Sequence, residues 1–589
     1  VNAAVVVKRC FRSKRRDQGN EEVSGAGCGC FGLVELSRRA SRVVRCFVQA
    51  LFPPFVRFQF AINRENGVTR HKVLLNLGRV DQIAGNPSYQ NLARSLARLS
   101  KAGEVVNPSD ISEAELFNWG HIVYRKIWDQ YGIGAILGKI AARRRIRYDV
   151  DDAAFLMALQ HLLRPRSKLG TFNDQHRYIG LPTVELNHLY RSLDILSECK
   201  DALEEELFAK NRNLFNMEVD VVFYDVTTFS FESVRADSLR EFGFSKDGKF
   251  KEVQVVLGLV TDCEGRPIGY ELFPGDTFDG KTMAKALENI RKRFGIRRVV
   301  IVADRGLNSK LNLKFIREAG YDYIVAARLK GMKRSVRDSA LSPEGYIHQS
   351  DEGEEFRYKT FPHDNVVKGE NGEVYNLREH LIVSFSGKRA RKDRSDRKRL
   401  LEKAERLLQN PSQISSSNKR GGKKYLMNMG EEPEWVLDGD AVERDALFDG
   451  YYAIQTSALD MTATEIMDAY HKLWKIEESF RIMKSTLEVR PIFHWTESRI
   501  KGHFVVCFLA FLLERSLEFR LKRSGEAASP EVIRDALNSL NFARVSLGGE
   551  EYLIRTKTPG LANRILRLLG IRAPGNATPA TDFTLPQAE

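Results

Sequence analysis

The chain has 589 residues, a formal net charge of +15 and a pI of about 9.3, with 43% hydrophobic and 29% charged residues. That is enough for several soluble, globular domains with a large core, and no stretch reaches the roughly 20 apolar residues of a membrane span. The excess of Lys and Arg favours a polyanionic partner, because neutralised phosphates release counterions, but charge alone fits a basic housekeeping protein about as well.

Residues 1–50 show neither periodicity nor a signal-peptide pattern and stay unassigned, read as disordered or as sequence outside the working protein. The seven cysteines (Cys10, Cys28, Cys30, Cys46, Cys199, Cys263 and Cys507) are odd in number and mostly scattered, which predicts a reducing compartment without structural disulfides. Cys28-Gly-Cys30 has no second cysteine pair or nearby His, so no zinc site is expected there. Residues 51–107 read as a β-hairpin and linker, from the alternation in Val56–Ile62 and Lys72–Gly78 around a turn at Asn63–Gly67. Residues 108–216 read as a helical, DNA-binding domain. Ser109-Asp-Ile-Ser-Glu-Ala-Glu115 resembles a helix start, and Asp151–Leu163 is a second helix ended by Arg164-Pro165. Between them, Arg143–Arg147 either faces phosphates or is a solvated charged face.

From 217 the period changes. Strands over 219–226, 252–262 and 267–274 precede a helix over 281–294, a strand over 298–304, a helix over 309–319 and a strand over 322–328. Three strands followed by alternating helix and strand predict an α/β fold with a mixed sheet, in the ribonuclease-H-like order, spanning 217–330 and 446–545. Residues 331–445 break the pattern and read as a β-rich insertion with a basic helix over about 388–408. That helix lines a DNA channel or presents a solvated face, and Lys419–Lys424 is a flexible phosphate-binding candidate. The sheet resumes at Tyr451, and one long helix is expected over about 462–486. The apolar run Phe504–Leu513 reads as a buried helix. Residues 546–589 read as a C-terminal tail, loose after about 570.

Three carboxylates stand out. Asp225 ends Val-Asp-Val-Val-Phe-Tyr-Asp, and Asp304 ends Arg-Val-Val-Ile-Val-Ala-Asp. An Asp at the end of a buried strand is costly unless paired or bound to a metal. The bland alternative, a strand cap at a turn, suits one such Asp better than two in one sheet. Glu477 lies in Tyr470-His-Lys-Leu-Trp-Lys-Ile-Glu-Glu-Ser-Phe-Arg-Ile-Met-Lys484. Tyr470, Glu477 and Lys484 recur at nearly two helical turns, so on one helix they share a face, which Arg481 joins. A face bearing carboxylate, amine and phenol can bind metal and phosphate together; an amphipathic helix with a Glu477–Arg481 pair is the plain alternative. Oxygen donors in this pattern suit Mg²⁺ or Mn²⁺, and two-metal phosphoryl transfer needs two ions about 3.5–4 Å apart. Trp474 and Trp495 either stack on bases or, as is commoner on such a helix, belong to the core. His494 and His503 show no metal-binding spacing and read as structural.

These residues resemble the DDE transposases of bacterial insertion sequences, in the group with the Tyr–Arg–Glu–Lys signature. Tyr470, Glu477 and Lys484 match it, while Leu473 stands where the signature has Arg. The stretches around Tyr224-Asp225, Gly269–Gly280 and Ala303-Asp304-Arg305-Gly306 are similar to the family's other motifs. The resemblance spans roughly 55–545. It implies that Asp225, Asp304 and Glu477 are catalytic and hold two Mg²⁺ (or Mn²⁺) ions. Water would free a 3′-OH at the element's end, and that 3′-OH would attack target DNA. Tyr470, Arg481, Lys484 and Arg305 would contact DNA. The resemblance further implies transposon-end and target DNA as partners, a homodimer in the synaptic complex, no membrane, and a bacterial cytoplasmic, nucleoid-associated location. A nuclease of the same fold that only hydrolyses DNA, and an inactive DNA-binding derivative, are the alternative readings.

Overall fold

The computed structural model describes residues 7–8, 33–35, 45–47, 55–65, 68–79, 87–89, 91, 115–215, 221–243, 251–262, 264–277, 279–294, 300–303, 308–351, 354–368, 373–414, 421–430, 434–547 and 550–585. The chain divides into two compact units, residues 1–113 with 545–551 and residues 114–544 with 552–589. In the first, β1 (Phe55–Glu65) and β2 (Val68–Arg79) pair antiparallel as the alternation predicts, with register shifts at Val56/Arg57, Phe58/Gln59 and Ile62/Glu65. The first expected helix start falls on residues 109–114, outside the described residues, and on Glu115. Glu115 instead opens strand β3 (Glu115–Asn118), which pairs with Asn541–Arg544 far along the chain. A distant strand partner overrides a local acidic helix signal there.

The helical region of the second unit holds α1 (His121–Tyr131), α2 (Ile133–Arg143), α3 (Val150–Leu163), the short α4 (Lys168–Asp174) and the long α5 (Leu186–Phe215). Asp149 caps α3, accepting from the Asp151 and Asp152 N–H groups at 2.8 and 3.1 Å. Nearly every side chain of α3 from Ala153 onward is buried, so it is a core helix rather than an amphipathic one.

The central sheet follows. Its strands are β4 (Val221–Ser230), β5 (Gln254–Asp262), β6 (Pro267–Pro274), β7 (Val300–Ala303) and β8 (Asp322–Ala326), with α6 (Asp279–Phe294) and α7 (Lys310–Glu318) between them. Strands β9 (Ile347–Asp351), β10 (Glu354–Pro362), β11 (His380–Ser386) and β12 (Tyr451–Thr456) complete nine strands in the order β9-β10-β11-β12-β8-β7-β4-β5-β6. β4, β5 and β6 run antiparallel to one another, while β7 and β8 run parallel to β4. The mixed α/β sheet matches the sequence pattern. Strands from 331–445 extend this sheet, and β12 lies between β8 and β11. Short polar strands gave no sign of that continuity. The basic helix α8 (Gly387–Gln409) follows β11 directly.

Every residue of β5 is buried, so both faces of the sheet are covered. On one side Phe294, Leu313 and Ile316 of α6 and α7 pack on Val222, Tyr224 and Val226. On the other, Phe223 and Phe229 join a larger core built on α1, α3, α5 and α11 (Glu497–Arg523). Phe504–Leu513 is buried within α11, as the apolar run predicts. No helix among the described residues is long and apolar enough to cross a membrane. α12 (Pro530–Asn538) packs near α3, and the described residues after 570 are held to the core: Ala577–Pro579 pairs with Tyr552–Ile554, and the Phe583 ring stands 5.0 Å from Phe542. Apolar anchors outweigh the Pro- and Ala-rich composition there.

Inside this helical core the Tyr124 hydroxyl donates to Glu514 Oε2 at 2.5 Å. Burial, reinforced by nearby Glu518, pushes the Glu514 carboxyl up to about 8. Its contribution to stability is therefore full below the ordinary carboxylate range and is lost as pH rises through about 8, where the folded chain must ionise a buried acid. Glu514→Gln is expected to flatten the pH dependence of thermal stability between about 5 and 8, and to gain on the order of a few kcal/mol over wild type at the alkaline end. Melting scans of both proteins across that range check it; parallel curves would refute it.

Candidate active site

Asp225 lies in β4, opposite Leu259 of β5. Opposed residues of an antiparallel pair share a face, and Leu259, Phe223 and Phe229 belong to the core under α11. Asp225 therefore faces that side, half-buried, with its own Oδ1 accepting from the Val226 N–H at 2.7 Å. Asp304 and Arg305 lie outside the described residues. The described part of β7 ends at Ala303, and its Val302 pairs with Phe223, two residues before Asp225.

The helix carrying Glu477 packs on this same face. It is not the single helix over 462–486 that the spacing suggested. α9 (Ala463–His471) starts with a capping box between Thr462 and Glu465, and a turn at Lys472-Leu473 separates it from α10 (Trp474–Arg481). α10 continues into a π-helical segment, Ile482–Thr486. Leu473 is buried, 7% exposed, so the turn is held by a core side chain. α9 packs on β7, β8 and β12, and α10 packs on β4.

Glu477 is exposed and makes no ion pair or side-chain hydrogen bond among the described residues. Its neighbour Glu478 is engaged by Arg515 at 3.3 Å, Arg481 at 3.6 Å and Lys475 at 3.9 Å. Arg481 thus pairs with Glu478, not with Glu477 as its spacing suggested; i to i+3 geometry serves as well as i to i+4. Lys484, in the π segment, places its ammonium 5.6 Å from the centre of the Phe229 ring, four residues past Asp225 on the same strand face. Tyr470 is set apart on α9, where its hydroxyl accepts from Tyr452 at 2.6 Å. The structure thus brings Lys484 and α10 over β4, and puts Tyr470 over β12.

Trp474 and Trp495 are not core residues: they are 51% and 66% exposed, and Phe493 is 60% exposed. In the helical region, Arg144, Arg145, Arg147 and Arg191 line a groove of about 660 Å³ walled by Tyr148 and His188, stacked at 4.2 Å. Arg144 pairs with Glu198, while Arg145, Arg147 and Arg191 have no acidic partner among the described residues. On α8, by contrast, Arg391 pairs with Glu354, Arg397 with Asp449 and Arg399 with Asp396, so much of that basic face is neutralised locally. Lys419 and Arg420 lie outside the described residues.

One cluster escaped the sequence reading because its members are far apart in the chain. The carbonyls released where the π segment ends are taken by side chains of three helices. Arg534 of α12 donates to Thr486 O, the His161 Nδ1–H of α3 donates to Leu487 O at 2.8 Å, and the His503 Nε2–H of α11 donates to Val489 O at 3.0 Å. Burial lowers His161 to about 3, and His503 far below its ordinary range, so both rings are neutral. Cys507 Sγ lies 3.6 Å from His503 Nε2 and 3.9 Å from His161 Nε2. Those distances would suit a metal, but His503 Nε2 is committed to Val489 O, and the Lys168 ammonium sits 3.3 Å from His503 Nδ1. The group is a hydrogen-bonded clasp on the segment after Lys484. Two acidic clusters are likewise accounted for. Asp149 caps α3 while Asp151 and Asp152 bind Arg125, and Asp201, Glu204 and Glu271 are bridged by Lys200 and Arg293.

The family model described as the transposase DDE domain matches residues 218–513, half of the chain. No curated protein matches the sequence. Among solved structures, the chain is similar to the piggyBac transposase synaptic complex with hairpin DNA, at 9% identity and a TM-score of 0.34, covering 73% of this chain and 82% of that one. It is also similar to the Mos1 transposase paired-end complex with left transposon end, at 13% identity and a TM-score of 0.14, covering 29% of this chain and 57% of that one. A Mos1 mariner paired-end complex with Mn gives 13% identity and a TM-score of 0.13, covering 30% and 58%.

Proposed function

Because the chain belongs to the transposases with a DDE domain, we propose that it cuts DNA at the ends of a mobile element and joins the freed ends to target DNA, in a divalent-metal-dependent reaction. The observation that carries the site assignment is Glu477, an exposed carboxylate without a partner among the described residues, on a helix packed over the strand face that bears Asp225. The sheet order supports a ribonuclease-H-like reading: β6, β5 and β4 antiparallel, then β7 and β8 parallel to β4. Asp304 is assigned on the sequence. Asp304 itself lies outside the described residues, next after the last described residue of β7, Ala303.

Asp225, Asp304 and Glu477 would hold two Mg²⁺ or Mn²⁺ ions, since an all-carboxylate donor set suits hard cations that keep some water. Bound there, the ions supply Lewis-acid stabilisation of the charge that builds on the reacting phosphate. Water attacks the phosphodiester at the element's end; the bond from phosphorus to O3′ breaks, and O3′ leaves as a hydroxyl. That 3′-OH then attacks a target phosphodiester, displacing its O3′. Lys484 sets a point charge beside the end phosphate, and Tyr470, held by Tyr452, offers a phenol from the preceding helix α9. Arg305 is a DNA contact on the sequence alone. Leu473 is buried where the Tyr–Arg–Glu–Lys group of bacterial insertion sequences has Arg, so exposed Lys472 and Arg481 are the cations left to serve in its place. The arginine groove at Arg144–Arg147 is the DNA face of the helical region. The working form is a homodimer pairing two element ends, acting at the bacterial nucleoid in the cytoplasm.

The test is incubation with DNA carrying the flanking element ends and a target plasmid, with Mg²⁺, with Mn²⁺ and with EDTA. Metal-dependent end cleavage with joined products is expected. Cleavage without joining would make the protein a nuclease of this fold, and binding without cleavage in either metal would refute the enzymatic reading.

A further inference from the structure

A cavity of about 330 Å³ opens beside the clasp described above, lined by Lys168, Arg166, Arg490, Phe493, His494 and His503 among others. Lys168 is only 4% exposed, yet its recorded partner is a neutral imidazole nitrogen, His503 Nδ1 at 3.3 Å. No carboxylate pairs with it among the described residues. A buried ammonium without a counter-anion is costly, a cost that an anionic ligand beside it would offset. Burial lowers Lys168 only to about 8, leaving it largely protonated at neutral pH. The imidazoles His494 and His503 are neutral and add no negative charge.

The rest of the lining points the same way. Arg490 meets Ser230 at the end of β4, five residues beyond Asp225, and pairs with no acid among the described residues. Arg166 is balanced by Asp174 at 3.5 Å. The one carboxylate in the lining, Glu488, is exposed. Phe493, 60% exposed, contributes an apolar wall. The cavity is thus cationic, contains a buried donor with two N–H groups to spare, and adjoins the strand that carries Asp225.

We propose that this cavity is a phosphate site, with Lys168 and Arg490 as its cations, that seats one backbone phosphate of the DNA strand passing β4. The choice of DNA as the source rests on the transposase reading; the phosphate chemistry does not. Lys168 is a binding residue here, and its burial is a cost in the DNA-free protein that the ligand offsets.

The test uses the full chain and Lys168→Met, which keeps the side-chain length and removes the charge. Three readouts apply: melting temperature without ligand, melting temperature with inorganic phosphate, and affinity for a labelled duplex across a salt series. Lys168→Met is expected to melt higher than wild type, to lose the stabilisation by phosphate that wild type shows, and to bind the duplex about tenfold more weakly with a salt slope shallower by about one. A variant that melts lower with duplex affinity and salt slope unchanged would overturn the proposal and make Lys168 a strut for His503. Should Lys168→Met not fold, Arg490→Gln at the rim must show the same loss of phosphate response and salt slope, or the proposal falls. Protection by phosphate without any duplex binding by wild type would sink the transposase reading and leave the cavity a site for free phosphate. No protection and no change of slope would sink the cavity alone.

Discussion

Glu477→Gln is expected to lower metal-dependent cleavage of element-end DNA at least about 10³-fold, and Asp225→Asn to do the same, while Glu478→Gln stays within a few-fold of wild type. The magnitude follows from losing an ion that stabilises developing charge by several kcal/mol, where each 1.36 kcal/mol is tenfold. The contrast between two adjacent glutamates comes from their surroundings. Glu478 is occupied by Arg515, Arg481 and Lys475, and an acid so neutralised has few lone pairs left for a cation. Its loss is a matter of stability, of about 1 kcal/mol, because Glu518 still holds Arg515 at 2.7 Å. Glu477 lacks such partners among the described residues and stands in solvent on the helix over β4. Single-turnover cleavage in Mg²⁺ and Mn²⁺, alongside circular dichroism of each variant, separates chemistry from folding. An active Glu477→Gln beside a dead Glu478→Gln would reverse the assignment and move the site to the Arg515 side of the helix.

How much of this was legible in the sequence depended on the range of the forces involved. The runs leading to Asp225 and Asp304 are dense and apolar, and local composition and tertiary burial agree in them, so order and type could be read directly; the strand end expected at Asp225 could not, because β4 continues to Ser230 by pairing with β5. The capped helix α3 and the buried run in α11 were legible for the same reason. What failed was decided by distant partners. Glu115 reads as the first turn of a helix until Asn541–Arg544 pairs with its strand. β9 and β10 look too polar for a core sheet, yet the sheet reaches them through β11, which pairs with β12. The clasp of His161, His503, Arg534 and Cys507 joins three helices whose sequences show no common motif.

The helix of the site was half legible. Spacing by sevens assumes one regular helix from Tyr470 to Lys484, but Leu473 turns into the core and splits it, and the π segment changes the winding beyond Arg481. The consequence is a division of labour that spacing alone hides. Tyr470 stays with Tyr452 over β12, while Glu477 and Lys484 travel with the second helix over β4. The amphipathic pattern also misled about Trp474. Ile476, Ser479 and Phe480 already fill the buried face of α10, so the tryptophan two residues earlier is left in solvent.

Lys484→Met carries the second large expectation, a fall in cleavage rate at saturating DNA of about 10- to 100-fold, the loss of one charge-assisted contact to a phosphate. Its ammonium lies over Phe229, on the face that Asp225 shares, at a turn fixed from behind by Arg534 on Thr486 and by His161 on Leu487. π-helical turns of this kind recur at functional sites because i to i+5 bonding redirects one side chain without ending the helix. Here it aims Lys484 at the strand rather than along the face of Glu477. Lys484→Arg tests that aim. It restores the charge but not the compact, single-point geometry, so recovery should be partial. Full rescue by Arg would mean that only net charge matters at this position. A Met variant with unchanged rate at saturating DNA but weaker binding would move Lys484 from the reacting phosphate to the bound duplex. Rates at saturation and affinities measured on the same substrates decide between them.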